Sequence, residues 1–294
     1  MAKKETRQAL QHHRLAPKKR FGQNFLVHAA TAEAIARCGQ ISKDDAIVEV
    51  GVGLGALSIP LAKRARKVIG IEIDSGIIRM HQEENNLPDN VSLMHDDILK
   101  VDFKKLHKDC GGPIKCMANL PYSISNPFIF KLVENKTMMD WAVIMLQKEV
   151  AERLTASPST KAYGIPTVLL GACARVTKLM HLVPHEFHPQ PKIDSLVIRI
   201  DFSSPAEDLS SLPDYNFAVF QQVVRSAFAQ RRKTLVNNIG NAPFFDQSRS
   251  KKDNKECAAQ ALQSADVSPG ERAENLTIAD FIRLTVALEA GLKS

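Results

Sequence analysis

The sequence predicts an α/β protein: a mostly parallel sheet with helices on both faces, followed by a small all-helical domain. Short apolar segments alternate with segments of helical periodicity up to Phe202, a pattern typical of a parallel sheet covered by helices. Glycines follow the first predicted strand, where a β-α-β unit turns. Beyond Phe202 only helical patterns remain.

The elements of the first domain follow one another in a regular order. Predicted strands are DAIVEVG (45–51), KVIGIEID (67–74), VSLMH (91–95), GPIKCMA (112–118), WAVIMLQ (141–147), KLMHLVP (178–184) and SLVIRIDF (195–202). Predicted helices are GALSIPLAKRA (55–65), SGIIRMHQEEN (75–85), SNPFIFKLVEN (125–135), KEVAERLTA (148–156) and YGIPTVLLGACARV (163–176). The strands are short and rich in β-branched residues, and the helices have apolar residues three and four positions apart.

The change of character after Phe202 predicts a domain boundary. SSPAEDLSSLPD (203–214) has the composition of a linker. A helical stripe of Phe217, Phe220, Val224 and Phe228 follows and is expected to be core, with two further helices near 255–264 and 277–291. The predicted organisation is a basic arm at 1–20, a first domain at 21–204 and a helical domain at 205–294.

Charge and cysteine usage limit the class of protein. The net charge is +7, and residues 1–30 hold seven Lys/Arg against one acid. No apolar run approaches the roughly 20 residues of a membrane span. The five cysteines are scattered without a C-x-x-C pair, so neither a disulfide framework nor a zinc site is indicated. We expect a monomeric cytoplasmic protein without a metal.

Basic side chains gather in two places. Those predicted to contact a nucleic-acid backbone are Lys18, Lys19, Arg20, Arg231, Arg232 and Lys233. A solvated tail and a solvated turn would have the same composition. Charge alone therefore leaves both interpretations open.

The first strand-to-helix turn, EVGVGLGAL (49–57), predicts a nucleoside site. Its glycines let the backbone approach a ligand closely. Glu72 ends the second strand 21 residues beyond Gly51, where an acid can accept hydrogen bonds from both ribose hydroxyls. Asp97, after the third strand, is a candidate acceptor for an adenine amine. NAD and S-adenosylmethionine both fit, but G-x-G-x-G lacks the third glycine of the dinucleotide fingerprint.

The tetrapeptide Asn119-Leu120-Pro121-Tyr122 ends the fourth strand and predicts the chemistry. Pro121 cannot donate a sheet hydrogen bond, and strand ends form the ligand crevice of such sheets. The Asn119 side-chain carbonyl and the Leu120 backbone carbonyl can accept both N–H bonds of an aromatic amine. The lone pair of that amine would then point at a methyl sulfonium, and Tyr122 would stack on the base. Positioning of this kind needs no strong base.

These residues belong to a set of motifs that resembles a known family. The motifs are GQNFL (22–26), EVGVGLGAL (49–57), IEID (71–74), NLPYSIS (119–125), MLQKEVAERL (145–154) and FHPQPKIDS (187–195). Together they resemble the adenine-N6 dimethyltransferases of ribosomal RNA. KAYG (161–164), AFAQRRKTL (227–235) and RAENLT (272–277) are similar to the small-subunit branch rather than to the large-subunit antibiotic-resistance relatives.

The resemblance implies a Rossmann-like class I methyltransferase sheet and a set of site residues. S-adenosylmethionine would be held by Asn24, Leu26, Gly51, Gly53, Glu72, Asp97 and Asn119. The target adenine would be flipped from the RNA and stacked between Tyr122 and Phe187. The implied reaction dimethylates two adjacent adenines near the 3′ end of 16S rRNA in the small ribosomal subunit. The family usually has proline at the position of Val52, so a slightly looser turn with retained binding is expected here.

Two other functions remain open from the sequence. The same chemistry could act on large-subunit rRNA or on DNA. Alternatively, the protein could be a ribosome-assembly factor whose binding, rather than catalysis, is the essential activity. His185 and His188 flank Phe187 without a third ligand at metal spacing and are interpreted as loop histidines.

Overall fold

The computed structural model describes residues 22–203, 205, 209–245 and 250–293, together with residues 8, 12 and 13. By their contacts the described residues form two units. The first runs through Ala151 and resumes at Arg175, and the second consists of Glu152–Ala174 and the chain from Pro205 onward. No helix in these ranges is long and apolar enough to cross a bilayer.

The first unit is built on a seven-stranded sheet. The described residues form strands β1 (Phe25–Leu26), β2 (Ala46–Val50), β3 (Lys67–Glu72), β4 (Val91–His95), β5 (Ile114–Asn119), β6 (Met139–Gln147), β7 (Arg175–Leu182), β8 (Phe187–His188) and β9 (Ser195–Asp201). The sheet order is β4-β3-β2-β5-β6-β9-β7. The strands from β4 to β6 pair in parallel, whereas β9 pairs antiparallel with both β6 and β7. Strands β1 and β8 form a separate antiparallel ribbon.

Helices flank this sheet, as the sequence predicts. The helices of the first unit are α1 (Ala29–Cys38), α2 (Ser58–Ala62), α3 (Ser75–Glu84), α4 (Phe103–Cys110), α5 (Ser125–Glu134) and α6 (Lys148–Leu154). Helix α6 continues into the second unit after Ala151. All five residues of β2 are buried, and neighbouring residues of a strand face opposite sides. Both faces of the sheet are therefore covered, and the α/β prediction is confirmed.

Helix α4, like α1, was not predicted from the sequence. Asp102 caps it by accepting a hydrogen bond from the Lys104 amide at 2.8 Å, and Gly111 ends it with φ of 79°. Only Phe103, Leu106 and Cys110 are buried. Because charged and polar residues separate these three, the eight-residue helix has too short an apolar pattern to be recognised.

Strand β7 begins inside a segment predicted to be helical. Arg175 pairs with Asp201 and Val176 with Ile200, while the preceding helix ends at Gly171. The sheet edge offered by β9 decides this conformation, because tertiary pairing overrides a weak local pattern.

The second unit is helical in its described residues. Its helices are α7 (Ile165–Gly171), α8 (Phe217–Ala227), α9 (Leu235–Ile239), α10 (Lys251–Ser264) and α11 (Ile278–Lys293). Phe220 and Val224 are fully buried, and the Phe228 and Phe281 rings stack at 5.8 Å. The phenylalanine stripe is therefore core, as predicted.

The sequence predicts a single domain boundary after residue 204, whereas in the structure the segment Glu152–Ala174 also belongs to the second unit. It follows β6 along the chain but packs with the second unit. The amphipathic pattern of a helix says that one face is buried, not which neighbour buries it. The sequence alone therefore does not assign this segment to a unit.

Candidate active site

A cavity opens at the carboxyl ends of the parallel strands in the first unit. It encloses about 1090 Å³, open solvent at its mouth included. All seven residues predicted to hold the cofactor line it: Asn24, Leu26, Gly51, Gly53, Glu72, Asp97 and Asn119. These residues come from separate stretches of chain, and the parallel strand ends bring most of them together.

The glycine turn forms one wall of the cavity. Gly51, Gly53 and Gly55 have φ of 80°, 54° and 77°, a region that side-chain-bearing residues rarely adopt. A Cβ added to Gly51 would lie 3.2 Å from the Asn119 carbonyl oxygen, and one added to Gly53 would lie 3.0 Å from the Phe25 ring. The turn therefore presents bare backbone to the cavity.

Val52 fills the space behind this turn. It is buried, and a Cβ added to Gly70 would lie only 2.6 Å from its side chain. The valine thus packs tightly against β3, although it leaves its own φ free where a proline ring would restrain it.

Glu72 is held by the backbone on both sides. Its Oε2 accepts a hydrogen bond from the Gly53 amide at 3.1 Å, and its Oε1 accepts one from the Asp74 amide at 2.9 Å. Burial raises the pKa of this carboxyl, and the two amides partly offset that rise. Asp74 in turn caps α3 by accepting from the Gly76 amide. The carboxylate is therefore fixed in orientation at the cavity wall.

Asn24 and Asp97 both line this cavity. The Asn24 side chain donates to the Gly22 carbonyl at 3.0 Å. One Asp97 oxygen accepts from the Leu99 amide at 3.0 Å, which leaves the second oxygen of the carboxylate as an acceptor. Leu26, in β1, is buried and also lines the cavity.

The Asn119 side chain has a defined orientation. Its amide nitrogen donates to the Asn24 carbonyl at 2.9 Å. Because nitrogen and oxygen occupy opposite branches of the amide, this bond determines where the oxygen lies. No hydrogen bond from the described residues reaches that oxygen. It is a free acceptor in a residue that lines the cavity.

Strand β5 ends at Asn119, and a short 3-10 turn follows at Tyr122–Ile124. Pro121 is extended, with φ of −56° and ψ of 137°, and the Ile124 amide donates to its carbonyl at 3.1 Å. Leu120 and Pro121 line the cavity, whereas Tyr122 does not. The Tyr122 hydroxyl lies 3.5 Å from the Ser195 hydroxyl, and burial raises the pKa of this phenol.

Phe187, which was predicted to stack on the target base, lies in the hydrophobic core of the first unit. It is 2% exposed and packs in the hydrophobic core with Leu26, Ile35, Met145 and Leu182. Its strand β8 pairs with β1, with Phe187 opposite Leu26. Neither Phe187 nor Tyr122 lines this cavity, and their stacking on a target base stays a prediction.

The basic residues predicted to contact RNA are placed unequally. Lys18, Lys19 and Arg20 lie outside the described residues. Arg231, Arg232 and Lys233 are exposed in the second unit. Arg231, however, forms an ion pair with Glu274 at 2.6 Å and donates to the Lys161 and Thr160 carbonyls at 2.9 and 3.3 Å. Its guanidinium is largely engaged by the protein itself.

Three sequence motifs meet around Arg231. The Tyr163 hydroxyl of KAYG donates to the Leu276 carbonyl of RAENLT at 2.8 Å, and its ring contacts Phe228 of AFAQRRKTL. The Ser159 amide donates to the Glu274 carbonyl at 2.7 Å. The motifs therefore form one packed cluster within the second unit.

Comparison with known proteins identifies the family. The family model described as ribosomal RNA adenine dimethylase matches residues 14–288. A protein of Desulfotalea psychrophila named ribosomal RNA small subunit methyltransferase A is 55% identical, over 97% of this chain and 95% of that protein. The chain belongs to the ribosomal RNA adenine dimethylase family.

Other relatives agree with this assignment. A Syntrophus aciditrophicus protein, also named ribosomal RNA small subunit methyltransferase A, is 40% identical over 96% of this chain and 98% of its own length. The crystal structure of a dimethyladenosine transferase from Plasmodium falciparum has a TM-score of 0.73 and 26% identity, with 91% of this chain and 98% of that chain covered. The 23S rRNA methyltransferase ErmE has a TM-score of 0.62 at 21% identity, over 90% of this chain and all of that chain, and shows a shared fold. The resemblance and the methyltransferase class expected from the motifs are confirmed.

Sequence reasoning missed two buried polar residues of the first unit, His81 and Glu49. His81 contacts the glycine turn, and Glu49 is fully buried in β2 with neither carboxyl oxygen hydrogen-bonded among the described residues. Ser125, the last residue of NLPYSIS, is the first residue of α5, and its hydroxyl donates to the Pro121 carbonyl. Only the polarity of Glu49 within an apolar strand could have drawn attention to it.

One group of possible metal ligands lies in the described part of the chain, outside this cavity. His12, His13 and Glu84 place one ligand atom each within 4.8 Å of one another. The expectation that this dimethylase uses no metal stays a prediction.

Proposed function

We propose that this chain transfers methyl groups from S-adenosylmethionine to N6 of two adjacent adenines near the 3′ end of 16S rRNA in the small ribosomal subunit. The observation that carries the proposal is the oriented Asn119 amide, which leaves a free acceptor at the end of β5 in the same cavity as Glu72 and the glycine turn. The relatives' names supply the substrate class, and the cavity supplies a site for the reaction.

The residues present fit S-adenosylmethionine. Glu72, whose carboxylate the Gly53 and Asp74 amides orient, would accept from the ribose hydroxyls, and Asp97 would accept from the adenine amine. The bare backbone of the glycine turn, together with Asn24 and Leu26, would form the remaining contacts. When bound, the cofactor supplies a methyl group on a positively charged sulfur, which is a strong electrophile without a metal.

Asn119 and Leu120 would position the nucleophile. The N6 amine of adenine is a poor nucleophile because its lone pair is delocalised into the ring. Two acceptors, the Asn119 side-chain oxygen and the Leu120 backbone carbonyl, would bind its N–H groups and direct the lone pair toward the methyl group. Orientation of this kind accelerates reaction without a strong base. Pro121 restrains the backbone that presents both acceptors.

Tyr122 would provide the stacking face for the flipped adenine. Base–aromatic stacking contributes about 1 to 3 kcal/mol, which offsets part of the cost of flipping. For Phe187 we propose two contributions. It packs β8 against β1 and so holds Asn24 and Leu26 at the cavity. It stacks on the second face of the flipped adenine only when its side chain leaves the core. The first role agrees with its burial.

Arg232 and Lys233, with Lys18, Lys19 and Arg20, are proposed to bind the RNA backbone, and Arg231 to hold that surface together. We further propose that the enzyme works as a monomer, because every residue lining the cavity comes from one unit of one chain. A ribosomal-subunit substrate implies a cytoplasmic enzyme.

The alternatives are less well supported. The named relatives act on the small subunit, which does not favour a large-subunit or DNA substrate. A role in subunit assembly is compatible with methyl transfer, but the packed Asn119 site argues that catalysis is not incidental.

Methyl transfer to isolated ribosomal subunits tests the proposal. Purified protein and labelled S-adenosylmethionine are incubated separately with unmethylated small subunits and with large subunits. We expect label in the RNA of the small subunits alone. Label in large-subunit RNA, or none in either, would contradict the proposed substrate.

A further inference from the structure

His81 is a buried polar residue that the proposed chemistry does not use. It lies on α3 and is 3% exposed. Its Nε2 is 2.8 Å from the Gly53 carbonyl oxygen, and its Nδ1 is 2.6 Å from Oδ1 of Asn86. Because a backbone carbonyl can only accept, Nε2 carries a proton and donates to Gly53.

The other side of the ring is held by a short network. The Asn86 amide nitrogen donates to a Glu84 carboxyl oxygen, and the other Glu84 oxygen contacts His13. Turning the Asn86 amide over would place its oxygen against the Glu84 carboxylate. The observed orientation is therefore the favourable one, and Asn86 holds the Nδ1 side of the ring while Nε2 donates to the Gly53 carbonyl.

The bond to Gly53 matters because the same residue orients Glu72. The Gly53 amide donates to Glu72, while its carbonyl accepts from His81. Gly53 has φ of 54°, and glycine has the widest choice of alternative conformations. Val52, directly before it, has no ring to restrain the turn. His81 is the side chain that restrains Gly53 from the carbonyl side.

We propose that His81 is a positioning residue for the cofactor-binding turn. By holding the Gly53 carbonyl, it keeps the Gly53 amide on Glu72 and so keeps the Glu72 carboxylate ready to bind a ribose. The inference rests on the proposed function, because it concerns the same cofactor site. It adds a residue that touches neither cofactor nor substrate.

Cofactor affinity of two His81 variants tests this role. His81→Leu keeps an apolar side chain of moderate size but cannot donate, whereas His81→Gln places an N–H near the position of Nε2. Binding of S-adenosylhomocysteine to the full chain is measured by calorimetry. We expect His81→Leu to weaken binding roughly three- to ten-fold, the range that loss of one hydrogen bond produces. The Kd of His81→Gln should stay within about two-fold of that of the unmodified protein, because the variant keeps an N–H donor for the Gly53 carbonyl.

The kinetic readout separates positioning from general structural damage. At saturating S-adenosylmethionine, kcat of His81→Leu should stay close to that of the unmodified protein, while KM for the cofactor rises with Kd. His107→Leu on α4, outside the cavity lining, is the matched control and should change neither constant. Unfolding by urea without cofactor reports the stability of each variant.

Several results would overturn the inference. These are unchanged affinity in a folded His81→Leu variant, a loss in His81→Gln as large as in His81→Leu, or an equal loss in His107→Leu. If His81→Leu fails to fold, Asn86→Ala takes its place, because Asn86 is exposed and its removal frees the ring. Unchanged affinity in that variant would contradict the network. Failure of the unmodified protein to bind cofactor would instead refute the proposed function.

Discussion

Asn119 illustrates how neighbouring residues turn an ordinary amide into a directed acceptor. Its nitrogen is bound by a carbonyl almost a hundred residues earlier in the chain, and Pro121 keeps the following backbone extended. The sequence predicted the tetrapeptide Asn-Leu-Pro-Tyr as a site, and its first three residues line the cavity. The hydrogen-bond partner of the Asn119 nitrogen was not predictable, because this bond depends on how the chain just before β1 packs against the end of β5.

Replacing Asn119 tests its role at the residue scale. Asn119→Ala removes the proposed acceptor and one hydrogen bond, so we expect loss of methyl transfer with a stability cost of only about 1 kcal/mol. Single-turnover transfer and urea unfolding measure the two effects. Asn135→Ala, which also loses one side-chain hydrogen bond to a backbone carbonyl, is the control. Transfer at a near-normal rate in Asn119→Ala would exclude the proposed role.

Phe187 gives a second test, because burial and stacking predict different outcomes. Phe187→Leu keeps most of the apolar volume but has no aromatic face. If Phe187 acts through the core, the variant should lose about 1 to 1.5 kcal/mol of stability and retain most of its transfer rate. A folded variant with little transfer, together with unchanged cofactor affinity, would show that the ring itself stacks on the base.

Glu49 predicts a pH dependence of stability. Complete burial, together with the nearby Glu72 carboxylate, raises the pKa of Glu49 to about 8 from an ordinary value of 4.5. The folded protein therefore holds this proton more tightly than the unfolded chain. The resulting stability is fully present below pH 4.5 and is lost as the pH rises through about 8.

Glu49→Gln should remove that dependence. The amide has a similar shape but no titrating proton, so the free energy of unfolding should fall less steeply between pH 5 and 8, by up to about 1.4 kcal/mol per pH unit. Urea unfolding at a series of pH values measures the slope. Glu83→Gln at an exposed position of α3 serves as the control. Identical slopes for Glu49→Gln and the unmodified protein would contradict a neutral buried acid.

At the scale of elements, the sequence predicted the strands better than their surroundings. Strands β2, β3 and β4 were recognised because buried parallel strands are continuous apolar runs, and their ends located the cavity residues. Helix α4 and the five-residue helix α9 were missed because each has too few apolar positions to establish a period. The start of β7 was missed because its conformation depends on pairing with β9.

The lining of the cavity was predictable to the same degree. Gly51, Glu72 and Asn119 follow from strand ends, which local sequence reveals. His81 and the burial of Phe187 depend on packing between distant segments, which it does not. Arg231 belongs to the second group, because its partners at Thr160, Lys161 and Glu274 are far away in the chain.

Arg231 and Arg232 are adjacent in the segment between α8 and α9, but we expect them to have different roles. Arg231→Ala removes the ion pair with Glu274 and two hydrogen bonds to carbonyls, so we expect a loss of about 1 to 2 kcal/mol of stability. Arg232→Ala should leave stability unchanged, weaken binding to small subunits and reduce the dependence of binding on salt by about one phosphate contact. Unfolding and salt-dependent binding measure both variants. The reverse pattern would contradict this assignment.

At the scale of the whole molecule, chain order and contacts divide the protein differently. Glu152–Ala174 leaves the sheet-containing unit and packs with the C-terminal helices, and β7 then returns to the sheet. The motifs KAYG and RAENLT, more than a hundred residues apart, thereby meet in one cluster. A helical unit assembled from two separate segments is consistent with a surface specific for one substrate, and we propose that it docks the small subunit.

Mapping of the methylated nucleotides tests the central claim most directly. Unmethylated small subunits are incubated with the protein and isotopically labelled S-adenosylmethionine, and fragments of their rRNA are analysed by mass spectrometry. The account predicts two labelled methyl groups on N6 of each of two adjacent adenines near the 3′ end of 16S rRNA, and none with Asn119→Ala. Label on another base, at another position, or unchanged in Asn119→Ala would contradict it.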